Sequence, residues 1–198
     1  MQGNKLLAKL TGVALLCAAS TTFAVMSIPY GWYIEGNLGS SNLTNTDYPG
    51  STSSSGIGGN ANLGYKFMPY FGTEIGYTQY ANTSIKNSKG TKAATVKNYS
   101  YDIAGKGILP IAESPFELFA KIGVARVNAK VSVNNQTAAT GLGVSSSNHS
   151  TTGLYYGLGA QYSLINALAL NVQWQRAQGN STTGNEDLFS GGLTFIFG

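Results

Sequence analysis

The chain has 198 residues, of which only 10% are charged; it carries 26 glycines and 12 tyrosines but one cysteine and one histidine. A single cysteine excludes a disulfide framework, and the frequent aromatic and β-branched residues exclude disorder. The formal charge of +4 falls to +2 once Lys5 and Lys9 are set aside with the leader described next, which leaves no argument for a nucleic-acid partner.

The N-terminal segment reads as an export signal. Lys5 and Lys9 precede an apolar run from Leu10 to Ala19, followed by Thr22-Phe23-Ala24. A charged start, a short apolar stretch and a small-x-small site are the parts of a cleaved secretory signal, and the run is too short to span a bilayer. Residues 1–24 are therefore expected to be removed after Ala24. Cys17 goes with them, and Leu16 in front of it argues against lipidation. Residues 25–198 suit one domain without cysteine.

Eight stretches of that domain alternate with period two, as strands do. They run Tyr30–Ser40, Ile57–Phe67, Tyr70–Tyr80, Val96–Leu109, Phe116–Lys130, Leu154–Leu164, Leu168–Arg176 and Leu188–Phe197. In the first, Trp32, Ile34, Gly36 and Leu38 share one face and Glu35 and Asn37 the other. In the fourth, Tyr99, Tyr101, Ile103 and Leu109 oppose Ser100, Asp102 and Lys106. The connections alternate in length. Met68-Pro69, Pro110–Pro115 and Ile165–Ala167 are short; Ser41–Ser55, Ala81–Thr95, Val131–Thr152 and Ala177–Asp187 are long and polar.

Short turns at one end and four long loops at the other describe an all-β, eight-stranded, antiparallel up-and-down transmembrane barrel, with periplasmic turns and extracellular loops. A soluble barrel would have an apolar lumen and a polar outside. Here the charged residues share a face with Gly, Ser, Asn and Gln, while Leu, Ile, Tyr and Phe occupy the other, which suits a lipid-facing surface. Closure leaves no strand edge for lipid to meet.

The last strand, Ser190-Gly191-Gly192-Leu193-Thr194-Phe195-Ile196-Phe197-Gly198, resembles the C-terminal signal of bacterial outer-membrane barrels, with Gly192, Phe195 and Phe197 as its marks. Other segments resemble the transmembrane domain of OmpA. They are Trp32-Tyr33-Ile34-Glu35-Gly36-Asn37-Leu38-Gly39, the run Gly64-Tyr65-Lys66-Phe67-Met68-Pro69-Tyr70-Phe71-Gly72-Thr73-Glu74-Ile75-Gly76-Tyr77, Ala104-Gly105-Lys106 before Pro110-Ile111, and Lys121-Ile122-Gly123. The resemblance implies an outer-membrane location, assembly by the barrel-insertion machinery and a lumen filled by paired charges. Glu74, Lys106 and Lys121 match that network. Gln161 stands where the family has a lumenal Glu, and Asn171 where it has a lumenal Arg. OmpA's peptidoglycan-binding domain has no counterpart up to Gly198, so the size is closer to OmpX-type barrels. The expected lumenal layer is a Glu74–Lys106 pair flanked by neutral amides, read either as a polar core or as a gate for a narrow ion path.

No catalytic, metal or cofactor site is apparent. His149 lies in the longest loop among serines without an acid to orient it, and one histidine without clustered carboxylates is no metal site. Lys97, Arg126, Lys130 and Arg176 fall at the long-loop ends of their strands with lipid-facing parity, and Lys86, Lys89 and Lys92 cluster above. These residues are expected to form a rim that pairs with lipopolysaccharide phosphates, the alternative being interfacial snorkelling. The functional reading is a non-enzymatic outer-membrane protein for envelope integrity and loop display, with adhesion to an unidentified host surface as an extension. A narrow porin and a lipid A-modifying enzyme are the alternatives.

Overall fold

The computed structural model describes residues 30–46, 51–88, 90–111 and 114–197. The export signal, Cys17, Lys89 and Gly198 lie outside the described residues. The elements in chain order are β1 (Gly31–Thr44), β2 (Ser51–Ser53), β3 (Ser55–Met68), β4 (Phe71–Gln79), β5 (Thr83–Lys86), β6 (Lys92–Pro110), β7 (Phe116–Val133), α1 (Gln136–Gly141), β8 (Ser147–Ile165), β9 (Leu168–Ala177) and β10 (Asn185–Phe197).

Eight of the strands close into a barrel: β1, β3, β4, β6, β7, β8, β9 and β10 pair antiparallel in that order, and β10 pairs back onto β1. One register row can be followed right round it. Phe197 faces Trp32, then Tyr65, Thr73, Gly105, Ile122, Tyr156, Arg176 and finally Asp187. The row returns to β10 displaced from residue 197 to residue 187, so the shear is ten residues. Strands are therefore tilted, and each register row climbs toward the extracellular end as it passes from β1 to β7.

Alternation fixes what faces where. Along β1, Tyr33, Glu35 and Asn37 are buried while Trp32, Ile34 and Leu38 are exposed. Ile122, mid-barrel on β7, is 66% exposed in the bare protein. A belt of such residues is intelligible only against lipid. Aromatic girdles bound it. Trp32, Tyr65, Phe67 and Phe71 form a chain of ring contacts near the short turns. Tyr77, Tyr99 and Tyr101 cluster at the other end, with Tyr156 against Trp174. No described helix is long and apolar enough to cross a membrane.

The walls differ in height. β6 and β8 run for 19 residues and β7 for 18, against 9 for β4 and 10 for β9. A membrane-crossing strand needs about 9–11 residues, so β6, β7 and β8 project well beyond the bilayer. All four stretches expected to be loops are partly built: Ser41–Ser55 holds the end of β1 and all of β2, and Ala177–Asp187 the start of β10. Ala81–Thr95 contains β5, which pairs with the top of β6 and carries β2 on its other edge. Val131–Thr152 contains the end of β7, the start of β8 and α1, which Asn135 caps by accepting from the Ala138 amide at 3.0 Å. The inner face of this tall wall is apolar. Ile85, Ala94, Val96, Ala129 and Val131 form one buried cluster, and Ala93, Ala138 and Ala139 another, with Leu142 and Val144 packed against both.

Candidate functional site in the lumen and at the outer rim

The lumen is layered. At the periplasmic end Lys66 meets Glu117 at 3.1 Å, and Tyr33, Ala169 and Ile196 pack together. Above them lies the charged layer, centred on Glu35. Its Oε2 is 3.2 Å from Lys106 Nζ and its Oε1 3.1 Å from Lys121 Nζ. Oε1 also accepts from the amides of Asn37 at 3.0 Å, Asn62 at 2.9 Å and Gln173 at 3.1 Å. Lys121 bridges to Glu74 at 2.8 Å, and the Tyr33 hydroxyl donates to the other Glu74 oxygen at 3.0 Å. The Tyr33 side chain lies against Gly64, where any Cβ would collide with it.

The expected Glu74–Lys106 pair does not form. Lys106 reaches Glu35 instead, between the rings of Phe119 at 4.2 Å and Tyr33 at 5.0 Å. The reason is the width of an eight-stranded barrel, in which side chains from opposite walls meet. Neighbourhood along the sheet therefore does not choose the partners. Lys121 on β7 lies four strands from β1 and still touches Glu35. Of the other expected members, Asn171 donates to the Thr194 hydroxyl at 3.1 Å, and that hydroxyl is 3.5 Å from both Gln161 and Glu35. Sequence reasoning placed Glu35 on the lumenal face without assigning it the hub, and it passed over the Lys66–Glu117 pair. The signal was present in both cases: a charge at an inward position of a strand.

The next storey up consists of amides and hydroxyls. Gln175 accepts from Asn60 at 2.8 Å and Tyr155 at 3.1 Å and donates to Thr78 at 3.0 Å. Tyr80, just beyond β4, lies 3.1 Å from Ser100 Oγ, and burial pushes its hydroxyl above the ordinary tyrosine range. Two carboxylates break the pattern. Among the described buried groups, five acids (Glu35, Glu74, Asp102, Glu117 and Glu186) share the interior with three lysines (Lys66, Lys106 and Lys121). Asp102 and Glu186 are the ones without a lysine. Both Asp102 oxygens are unpartnered, as is Asn62 Oδ1, and all three face the same point beside Gly76. At the periplasmic end a cavity of about 20 Å³ among Lys66, Lys106, Glu117 and Phe119 has room for about one water.

At the rim, Lys97 and Lys130 are exposed and face each other directly across β6 and β7, and Arg126 lies four residues below Lys130 on the same face, 2.8 Å from Ser150 Oγ. Arg176 departs from expectation. Its guanidinium is committed to Asp187 in a two-pronged pair of 2.8 and 2.7 Å, and it stacks 5.7 Å over Trp174. The free rim is thus three residues on one wall. His149 is exposed on β8 with Ser147 Oγ at 3.0 Å, and no group of three or more His, Cys, Asp or Glu able to hold a metal occurs among the described residues.

Residues 11–197 match the family described as outer membrane protein beta-barrel domain. A protein of Coxiella burnetii described as uncharacterized is 25% identical over 185 residues, covering 78% of this chain and 74% of its own. Among solved structures, Neisserial surface protein A superposes with a TM-score of 0.62 at 18% identity, covering 84% of this chain and 97% of its own. Ail, the attachment invasion locus protein of Yersinia pestis, does so with 0.57 at 18% identity, covering 85% and 100%. The chain belongs to the outer-membrane β-barrel family, and its place is the bacterial outer membrane.

Proposed function

We propose that the protein is a non-enzymatic, non-conducting barrel that strengthens the envelope and holds a built surface platform outside the cell. One observation carries this reading: the lumen is occupied at every level. The Lys66–Glu117 pair and apolar contacts occupy its periplasmic end, an ion-pair network its middle, amides the storey above, and the apolar cluster of β5, β6 and β7 with Leu142 and Val144 its outer side. A narrow pore would need a continuous wet path, and the charged layer serves instead as a polar core. Planar bilayer recordings test this. Wild-type protein is expected to give no discrete openings; steady channel activity abolished by Glu35→Gln or Lys121→Met would establish the porin reading instead.

The platform's outer surface is cationic. Lys86 and Lys92 are opposed at the β5–β6 tip, Lys97 and Lys130 lower down, and the sequence has no acidic residue between Glu74 and Asp102 or between Glu117 and Glu186. Lys97, Arg126 and Lys130 pair with lipopolysaccharide phosphates, and the tip is the part offered to a host surface, in line with the attachment role in Ail's name. The closing strand is read by the barrel-assembly machinery through Phe195 and Phe197, which stack at 6.2 Å on the lipid face, and through Gly192, whose lumenal side is filled by Asn37 and the Gly36 carbonyl. Phe197→Ala should lower the folded amount in outer-membrane fractions.

A further inference from the structure

The lipid belt is not uniform. Gly36 on β1 and Ala61 on β3 are directly opposed, both point outward, and each is flanked by bulkier neighbours. They lie on the floor of an open, mostly apolar depression of about 1040 Å³ flanked by Ile34, Leu63, Tyr77 and Leu193, whose lining also includes the lumen-side positions Glu35, Asn62, Gly76 and Asp102. The register row through this floor runs Leu193, Gly36, Ala61, Tyr77, Tyr101, Arg126. Rows climb toward the outside in this direction, as the ten-residue shear requires, so the groove lies deep in the bilayer and its upper end leads to Arg126. From Ala61 to Arg126 is three strand spacings, about 14 Å along the surface. Lys97 and Lys130 stand four residues, two steps of the alternation, above Tyr101 and Arg126.

We infer that this groove and the cationic rim form one binding surface for a phosphorylated, multiply acylated glycolipid of the outer leaflet. The phosphates lie on Arg126, Lys97 and Lys130, an acyl chain lies along Tyr101 and Tyr77, and its end fills the floor at Gly36 and Ala61. This rests on the rim reading above and extends it by naming the apolar half of the ligand. The charges are complementary: the three cations have no carboxylate among the described residues around them, and an anionic headgroup with attached chains is the chemistry that satisfies both ends. A glycine at position 36 is not demanded by the fold, since a Cβ there meets nothing within 4 Å. Its smallness serves the groove rather than the barrel.

The test uses the whole protein in zwitterionic detergent. Lipid A is one probe and the same phosphorylated disaccharide stripped of its acyl chains is the other, with bound ligand counted by mass spectrometry of the intact complex. Gly36→Leu with Ala61→Leu fills the groove; Ala61→Leu alone is the milder version if the pair does not fold, and heat-modifiable gel migration checks folding. The groove variant is expected to bind lipid A about tenfold more weakly, because chain burial is lost, and to bind the stripped disaccharide unchanged. Lys97→Gln with Arg126→Gln and Lys130→Gln is expected to weaken both probes. If the groove variant binds lipid A like wild type while the rim variant does not, the groove assignment is overturned and the rim stands. If the rim variant binds both probes like wild type, the rim reading falls and the inference with it.

Discussion

Along β6 and β7 the inward positions change character with height. At Lys106 and Lys121 the interior is ionic, and each charge is held by a partner on the far wall. At Val96 and Val131, on the same strands and with the same parity, it is apolar and covered by Leu142 and Val144, just beyond α1. The lower region is surrounded by lipid, so a polar group there has no water to fall back on and must be satisfied internally. The upper region stands in water, where burying aliphatic groups stabilises in the ordinary way. One barrel thus uses inverted chemistry inside the membrane and conventional core packing outside it. The two regions should fail differently.

The largest effect is expected at Glu35. Glu35→Gln removes the carboxylate shared by two buried lysines, leaving Lys106 without an acid, and should destabilise by about 3–5 kcal/mol in urea unfolding from bilayers. Glu74→Gln should cost less, because Lys121 keeps Glu35. In a double-mutant cycle Glu74 should couple to Lys121, and Glu74 with Lys106 should be close to additive. Strong coupling of Glu74 to Lys106 would mean that the cross-lumen pairing is wrong.

Next comes the cap. Ile85→Ala should cost about 2–3 kcal/mol locally, near the lower end for such truncations because the cluster is small. The loss should appear as faster amide exchange in β5 and the upper halves of β6 and β7, with heat-resistant migration of the barrel unchanged. If this variant melts the entire barrel, the two regions are one cooperative unit and the contrast drawn between them fails.

How much of this was open to sequence reasoning depends on range. Alternation assigned inside and outside correctly for Glu35, Glu74, Lys106 and Lys121, because parity is local. It could not assign partners, since which wall Lys106 reaches depends on closure and shear, properties of all eight strands together. The OmpA resemblance assigns Glu74, Lys106 and Lys121 to the network and leaves Glu35 unassigned. The cap was missed for a local reason. Its strands and helix are written in Ala, Thr, Ser and Asn, a composition that reads as loop, although Ala94, Val96, Ala129 and Val131 keep the alternation of the strands below. Arg176 has the parity of the rim, but Asp187 opposite it is the last residue of the expected loop Ala177–Asp187, so alternation alone does not pair the two.

A smaller effect of opposite sign is expected at Asp102. Its two oxygens face the carbonyl oxygen of Asn62, and the amide of Asn62 is already given to Glu35. Three acceptors without a donor are unfavourable in a buried site. Asp102→Asn supplies the donor and removes a charge, and should raise stability by roughly 1–2 kcal/mol without disturbing the Glu35 hub. Destabilisation would show that this carboxylate is held by a donor or cation from outside the chain.

The smallest effect tests the boundary between the regions. Arg176 and Asp187 form the best-aligned ion pair on the outer surface, with two short contacts and the Trp174 ring beneath. The Arg176 side chain nevertheless keeps 32% of its exposure, against none for Lys121. Water and interface screen such a pair, so breaking it with Asp187→Asn should cost about 1 kcal/mol or less, and added salt should shrink the difference. The same substitution frees the guanidinium. If free cations at this height take up lipid phosphate, Asp187→Asn should increase lipid A retention, extending the rim from three residues to four. A cost as large as that of Glu35→Gln would place Arg176 and Asp187 with the lumenal network in kind, and the line between ionic interior and screened rim would have to be redrawn.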